Sequence, residues 1–175
     1  MKKVVLRFGL FSAITIVLLF FLSWVLFGSQ DNYTVKEIFG YASMIISMVF
    51  VFFGIKQYRD SVNQGVLGFG KGLQVGILIV LMASVAFGLF SVLYVNLLNP
   101  EFFDKFYNFQ IAQLQQSLPP AEFESKRKEM EASKAMMQNP FFNFLLMFAT
   151  VLIVGVMATV ISSLILMRKP KPAIR

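Results

Sequence analysis

The sequence predicts an all-α integral membrane protein: a four-transmembrane-helix bundle with an external helical hairpin between spans three and four. Three observations predict it. The chain has 175 residues, of which 57% are hydrophobic and only 14% charged, and its mean hydropathy is +0.71. Its apolar residues gather in four blocks, each long enough to cross a bilayer. Its Lys and Arg residues crowd the flanks of those blocks on one side. A soluble domain carries about 25% charged residues and under about 50% apolar ones, so a soluble globular enzyme and a disordered chain are both excluded. The blocks and their connections read as one membrane domain over residues 1–175.

The spans fall at about residues 4–27, 38–55, 72–98 and 141–167. Crossing about 30 Å of hydrocarbon at 1.5 Å per residue takes roughly 17–25 residues, which each block meets. The second is the shortest and is expected to stand closest to the bilayer normal. Arg7 is the only charge inside any block, close enough to its boundary to reach water along its own side chain. Lys2 and Lys3 resemble the start of a signal peptide, but the run after them exceeds the 7–15 residues of a signal core and no small-x-small site follows Phe27. An uncleaved anchor is the expectation.

Orientation follows from the flanks. With the N-terminus inside, Lys2, Lys3, Arg7, Lys56, Arg59, Lys71, Arg168, Lys169, Lys171 and Arg175 are cytoplasmic, beside the single acid Asp60. The other side receives Lys36, Lys105, Lys126, Arg127, Lys128 and Lys134 with the remaining eight acids. Short loops obey the positive-inside rule and long ones are exempt. Both termini are therefore expected in the cytoplasm. The net charge of +7 is a topology signal. It calls for the lipid bilayer as partner and for no nucleic acid.

The connections come next. Residues 28–36 read as a short polar turn. Residues 56–71 carry Tyr58 and Arg59 just past the second span, with Lys56 before them. These three are expected as an interfacial anchor or, alternatively, a docking handle for a partner. Gly65 to Lys71 matches the spacing of a phosphate-binding loop, but Gly72 stands where a Ser or Thr must reach the metal, and no buried strand precedes it. A re-entry turn is expected, and no nucleotide. In residues 99–140, Phe103, Tyr107, Ile111, Leu114 and Leu118 form one face of a helix that lies in the interface or packs on neighbours. Pro119-Pro120 ends it. A second, solvated helix follows, with i,i+4 pairs Glu122–Lys126, Glu124–Lys128 and Arg127–Glu131. Phe123, Met130 and Met137 form a narrow seam on it; a simple solvated face is the leading expectation, with self-association or a partner as the alternative.

Chemistry is constrained by absence. There is no Cys and no His, which removes thiol chemistry, the commonest metal ligands and the commonest general base. No Asp, Glu or Lys lies inside a span, and no Pro interrupts one, so the marks of proton relays and broken transporter helices are missing. No cofactor, metal or catalytic residue is expected. What the spans offer is small residues in register: Gly40, Ser43, Ser47 and Gly54 in the second; Gly72, Gly76, Ala83 and Gly88 in the third; Gly155, Thr159 and Ser163 in the fourth. In lipid such stripes let helix backbones approach closely, and packing rather than hydrophobicity drives association. The pentapeptide Phe8-Gly9-Leu10-Phe11-Ser12 recurs as Phe87-Gly88-Leu89-Phe90-Ser91, at a different membrane depth that argues against a structural repeat.

Three runs carry a family resemblance: Tyr41-Ala42-Ser43-Met44-Ile45-Ile46, Phe53-Gly54-Ile55-Lys56-Gln57-Tyr58-Arg59-Asp60, and Phe69-Gly70-Lys71-Gly72-Leu73-Gln74-Val75-Gly76. With the Asn139-Pro140 turn and the basic tail after Met167, they resemble the domain-of-unknown-function family numbered 4199 over nearly the whole chain. Its members are small four-span membrane proteins, mostly from Bacteroidota. The resemblance implies a bacterial inner-membrane address and brings no activity with it. The leading functional expectation is a non-enzymatic structural or accessory protein, working through helix packing and its extracytoplasmic segment. A small transporter or channel subunit, built as a homo-oligomer, is the alternative. A membrane enzyme comes third, since its acids would all lie in the external segment.

Overall fold

A computed structural model describes residues 1–28 and 33–168. Among them six α-helices follow one another: α1 (Lys2–Phe27), α2 (Tyr33–Gln57), α3 (Phe69–Leu93), α4 (Phe102–Ser117), α5 (Pro120–Gln138) and α6 (Pro140–Leu166). Single π-helical turns, Tyr58–Val62 and Tyr94–Leu98, continue α2 and α3 into helices of 30 residues each. These two, α1 and α6 are each long and apolar enough to cross a membrane. No strand forms among the described residues beyond one antiparallel bridge, Leu67 to Arg168. The tail residues Lys169, Lys171 and Arg175, and residues 29–32 of the first connection, lie outside the described residues.

The second helix departs most from its apolar block. Hydropathy marks residues 38–55, yet the helix starts at Tyr33 and runs to Val62. Tyr33 and Tyr58 are buried against neighbouring elements, so packing extends the helix past its apolar centre at both ends. The connection expected over residues 56–71 shrinks to residues 63–68. There Gln64 (φ 52°) and Gly65 (φ 80°) take two successive left-handed conformations. Val66 N–H donates to Asn63 O at 3.0 Å, and Asn63 Nδ2 donates to Val66 O at 2.7 Å. That pattern is a two-residue reversal, and glycine supplies its second left-handed position without steric cost. The helices after it open by local rules. Pro120 and Pro140 occupy first-turn positions, where a missing N–H costs nothing. Asn139 accepts from Phe141 N–H at 3.0 Å as the cap of α6.

α3 packs along α6 and α1 and also touches α2, which in turn packs on α1 and α6. Half of the most apolar 18 residues of α3 are buried within the protein, against 17% of those in α1 and in α6. The α3–α6 contact is antiparallel, with a small residue at successive levels. Gly72 faces Ser163, Gly76 faces Thr159, Val80 faces Gly155, and Ser91 faces Asn143. A Cβ on Gly72 would stand 2.7 Å from Ser163 Oγ and 2.9 Å from its Cβ. On the other side of α3, Gly54 admits Ile79 and Phe8, and Gly9 admits the Met82 thioether. Close backbone approach of this kind replaces the hydrophobic driving force that lipid removes.

Candidate functional site

The small-residue stripes divide into two kinds once their surroundings are known. Gly54, Gly72, Gly76, Gly88 and Gly155 each face a side chain so closely that an added Cβ would collide with it. Ala83 is buried on the same face of α3. Ser43 and Thr159 bond within their own helices, to Phe39 O at 2.7 Å and Gly155 O at 2.8 Å. Ser47 does likewise, to Met44 O at 2.8 Å, while its own carbonyl accepts from Ser12 of α1 at 2.9 Å. Gly40 differs from these glycines. Among the described residues the one atom near its would-be Cβ is Phe20 Cε2, at the ordinary contact distance of 3.6 Å. Gly40 therefore borders open space.

That space is a cavity of about 330 Å³ where α1, α2, α3, α4 and α6 meet. Phe20, Met44 and Met147 line its apolar part. Trp24, Tyr33 and Tyr94 form an aromatic wall closed by Phe102 and Phe106 of α4. The rings interlock: Trp24 meets Tyr94 edge-on at 6.1 Å, Tyr94 meets Phe102 at 5.6 Å, and Phe106 meets Tyr33 at 5.8 Å. Edge-to-face pairs of this kind are worth about 0.5–1.5 kcal/mol beyond their buried area. They fasten α4 to the ends of α2 and α3, and the end of α3 to α1. At the polar end of the cavity, Lys36 Nζ lies 3.2 Å from Gly28 O and 4.6 Å from the Tyr33 ring centroid. Glu37 follows it at the rim, exposed.

α4 and α5 use their apolar faces on one another and on the bundle. Phe103, Tyr107 and Met137 are buried in one cluster with Met130. Ile111, Leu114 and Leu118 are only half-buried, so the stripe weakens away from the bundle. The seam of Phe123, Met130 and Met137 faces inward, with Met137 most deeply buried. Asp104 of α4 and Lys134 of α5 pair at 2.6 Å. Burial raises the Tyr107 phenol above its ordinary pKa of 10.0. Of the i,i+4 pairs the spacing suggests on α5, Arg127–Glu131 forms, whereas Lys126 pairs with Glu129 in place of Glu122 and Glu124 lies nearest Arg127 in place of Lys128. Lys126 turns to Glu129 at 2.6 Å, and Arg127 lies between Glu131 at 3.4 Å and Glu124 at 3.9 Å. The i+3 partner wins where it gives the shorter reach.

The anchor trio also separates. Lys56 is exposed, Tyr58 is buried, and Arg59 is half-buried. Arg59 holds Asp60 through Nε at 2.6 Å and Nη2 at 3.1 Å, and its Nη1 donates to Leu166 O at 3.4 Å. Beside it, Leu67 and Arg168 exchange two backbone hydrogen bonds of 3.0 Å. Arg59 thus ties the end of α2 to the end of α6, and only Lys56 stands free for an outward role.

Asn143 is the polar side chain that the composition of the spans conceals. It is fully buried one turn inside α6, and its Oδ1 accepts from Ser91 Oγ at 3.0 Å. Its Nδ2 has no hydrogen-bond partner among the described residues. The repeated pentapeptide gains a shared meaning here, since its two serines, Ser12 and Ser91, both donate across a helix interface. Among the described residues no three acidic side chains converge as a metal site would require.

The family described as Protein of unknown function (DUF4199) matches residues 7–168. No curated protein and no solved structure matches the chain.

Proposed function

The chain belongs to the DUF4199 family, and from that premise and its four membrane-length helices we propose a non-enzymatic structural or accessory protein of the bacterial inner membrane. In this reading the four long helices span the bilayer, both termini are cytoplasmic, and α4 and α5 form an extracytoplasmic hairpin that presents a charged outer face to partners. The observation that carries it is the filling of the bundle. No Asp, Glu, Lys or Arg side chain is buried among the described residues, and of the buried polar side chains Ser12 bonds across the α1–α2 contact while Ser91, Asn143, Thr159 and Ser163 meet at the α3–α6 contact. Such an interior holds helices together and offers no ionisable relay for transport. The topology is supported by the charge distribution. Lys56, Arg59, Lys71 and Arg168 gather at one end, and seven of the nine acids, counting Glu37, Glu101, Asp104, Glu122, Glu124, Glu129 and Glu131, belong to the other.

Reporters fused after Lys71, after Lys128 and at the C-terminus should read inside, outside and inside. A cytoplasmic signal after Lys128 would sink the four-span topology. Purification from detergent with mass spectrometry tests the role. Stoichiometric membrane-protein partners support an accessory subunit, whereas a partner-free homo-oligomer that passes solute in liposomes replaces that reading with a channel.

A further inference from the structure

We infer that Arg7, with Lys3 one turn before it, holds the phosphate of an anionic phospholipid on the outer face of α1, where α1 meets α2. The inference rests on the membrane-spanning reading and adds a lipid site to it. Arg7 is the only charge inside any of the four apolar blocks, and a charge at such a position needs a partner. Intramembrane charges mostly face the interior of a bundle. Arg7 instead is exposed, between exposed Leu6 and Leu10. Its guanidinium lies 5.7 Å from the Phe11 ring centroid and 6.0 Å from that of Phe8. Phe8 meets Phe11 edge-on at 6.1 Å, and Phe11 reaches Phe50 of α2 at 5.8 Å. These rings form a platform across the α1–α2 contact, and Phe8 is itself packed against Gly54. They attract the charge of the guanidinium. No described group, however, accepts from any of its five N–H donors.

The surrounding charge decides the class of occupant. Lys3 stands four residues before Arg7, on the same face of α1, exposed and without an ion pair among the described residues. Two cations at this spacing repel, and an anion between them turns repulsion into attraction. The one acidic side chain at this end of the bundle is Asp60. Arg59 holds both of its carboxylate oxygens, at 2.6 and 3.1 Å. The chain therefore offers Arg7 no acid, and a second copy would bring none. A guanidinium presents paired donors that match a phosphate, and lipid phosphates lie at the depth where a spanning helix begins. No carboxylate stands beside Lys3 and Arg7 to receive the ammonium of a zwitterionic head, so the site favours a head of net negative charge, as in phosphatidylglycerol. Farther into the span, the Phe11 ring is 42% exposed and with Phe50 gives the lipid chain an apolar surface.

Native mass spectrometry of the full-length protein in detergent, titrated with phosphatidylglycerol or phosphatidylethanolamine, reads the site. Wild type should bind the first phosphatidylglycerol about tenfold more tightly than phosphatidylethanolamine, the scale of one charge-assisted contact. Arg7→Gln should remove that preference, and Lys3→Gln should reduce it. Lys128→Gln takes the same charge from the exposed face of α5 and should change nothing. A wild type without the preference, or an Arg7→Gln variant that keeps it, overturns the site. An equal loss in Lys128→Gln means diffuse attraction and overturns it too. A Lys3→Gln variant that matches wild type overturns the part given to Lys3. A benzophenone side chain in place of Leu10, one turn from Arg7, should cross-link to lipid in native membranes. A protein adduct there overturns the choice of a lipid. Flotation reads the membrane premise separately. Protein that fails to float with vesicles overturns that premise and the site together, and protein that floats without lipid preference overturns the site alone.

Discussion

The hydroxyl of Ser91 donates to Oδ1 of Asn143 at 3.0 Å across the α3–α6 interface, out of contact with solvent. The bond leaves Asn143 Nδ2 without a partner among the described residues, so the pair is asymmetric. Ser91→Ala strips the amide of its one cross-helix bond and should cost about 1–2 kcal/mol. Asn143→Leu removes the unpaired amine as well as the acceptor, and a lone Ser91 hydroxyl can turn back to a carbonyl of its own helix. The leucine variant should be the more stable of the two, and the double variant should recover most of the Ser91→Ala loss. Reversible unfolding in mixed micelles measures the order. The reverse order would show that the amide contributes more than its bond to Ser91.

Glycine substitutions should sort by neighbour rather than by sequence pattern. Gly76→Ile drives a branched side chain into Thr159 and toward Ile55, whose Cδ1 would be 3.1 Å from the new Cβ. Overpacking of this kind costs about 1–3 kcal/mol per site. Gly88→Ile meets Phe144, including its carbonyl oxygen at 3.2 Å, and should behave similarly. Gly40→Ala should be neutral or slightly stabilising, because alanine is the better helix former and space is present. Leu81→Ile and Val85→Ile should not change stability in detergent or cellular abundance. Equal thermal stability across all five variants would mean that the stripes are not packed as described.

Arg59 and the Leu67–Arg168 bridge make one junction. Removing the guanidinium by Arg59→Ala frees Leu166 O and unpairs Asp60. Hydrogen exchange at the Leu67 and Arg168 amides should then quicken, while amides in the middle of α3 stay protected. Tyr58→Phe should be tolerated and Tyr58→Trp should lower abundance, because the ring is buried. Tyr58→Trp at full abundance would place that ring at the surface.

The raised pKa of Tyr107 fixes a sign for alkaline pH. The folded state keeps the phenol neutral, so its contribution to stability is complete below the ordinary value of about 10 and fades as pH rises through the higher folded value. Titration by ultraviolet absorbance should show a late-ionising tyrosine that disappears in Tyr107→Phe. Contacts between α4 and α5 should loosen in wild type at the pH where that phenol ionises. An alkaline transition that survives Tyr107→Phe unchanged would have another origin.

Hydropathy located the four long helices because a long apolar run has few alternatives. It missed their ends, since Tyr33 and Tyr58 continue α2 by packing and not by apolarity. Four-residue spacing pointed to Gly72, Gly76, Gly155, Thr159 and Ser163, which meet across one interface. The matching face of α1, with Gly9, Ser12, Ala13 and Ile16 buried, escaped notice although its spacing was visible. Lipid-facing and buried sides of such a helix are equally apolar, so amphipathicity gives no direction. Asn143 escaped because one amide among Phe and Leu scarcely alters the average of its window. The cavity could not be read at all. Five helices distant in sequence build it, and Gly40 looked the same as the glycines that are tightly packed.

The principal partner of α3 is α6, which follows α4 and α5 in the sequence, and this sets a timetable for synthesis. When α3 leaves the ribosome, α1 and α2 can already pair through Ser12 and Ser47. The face of α3 that carries Gly72, Gly76, Ser84 and Ser91 must wait while α4 and α5 are made. During that interval its hydroxyls and thin backbone stripe have only lipid, or the insertion machinery, against them. A nascent chain arrested before Pro140 is therefore the species most exposed to wrong helix partners and to quality-control proteolysis. Arrival of α6 ends that exposure in one docking event.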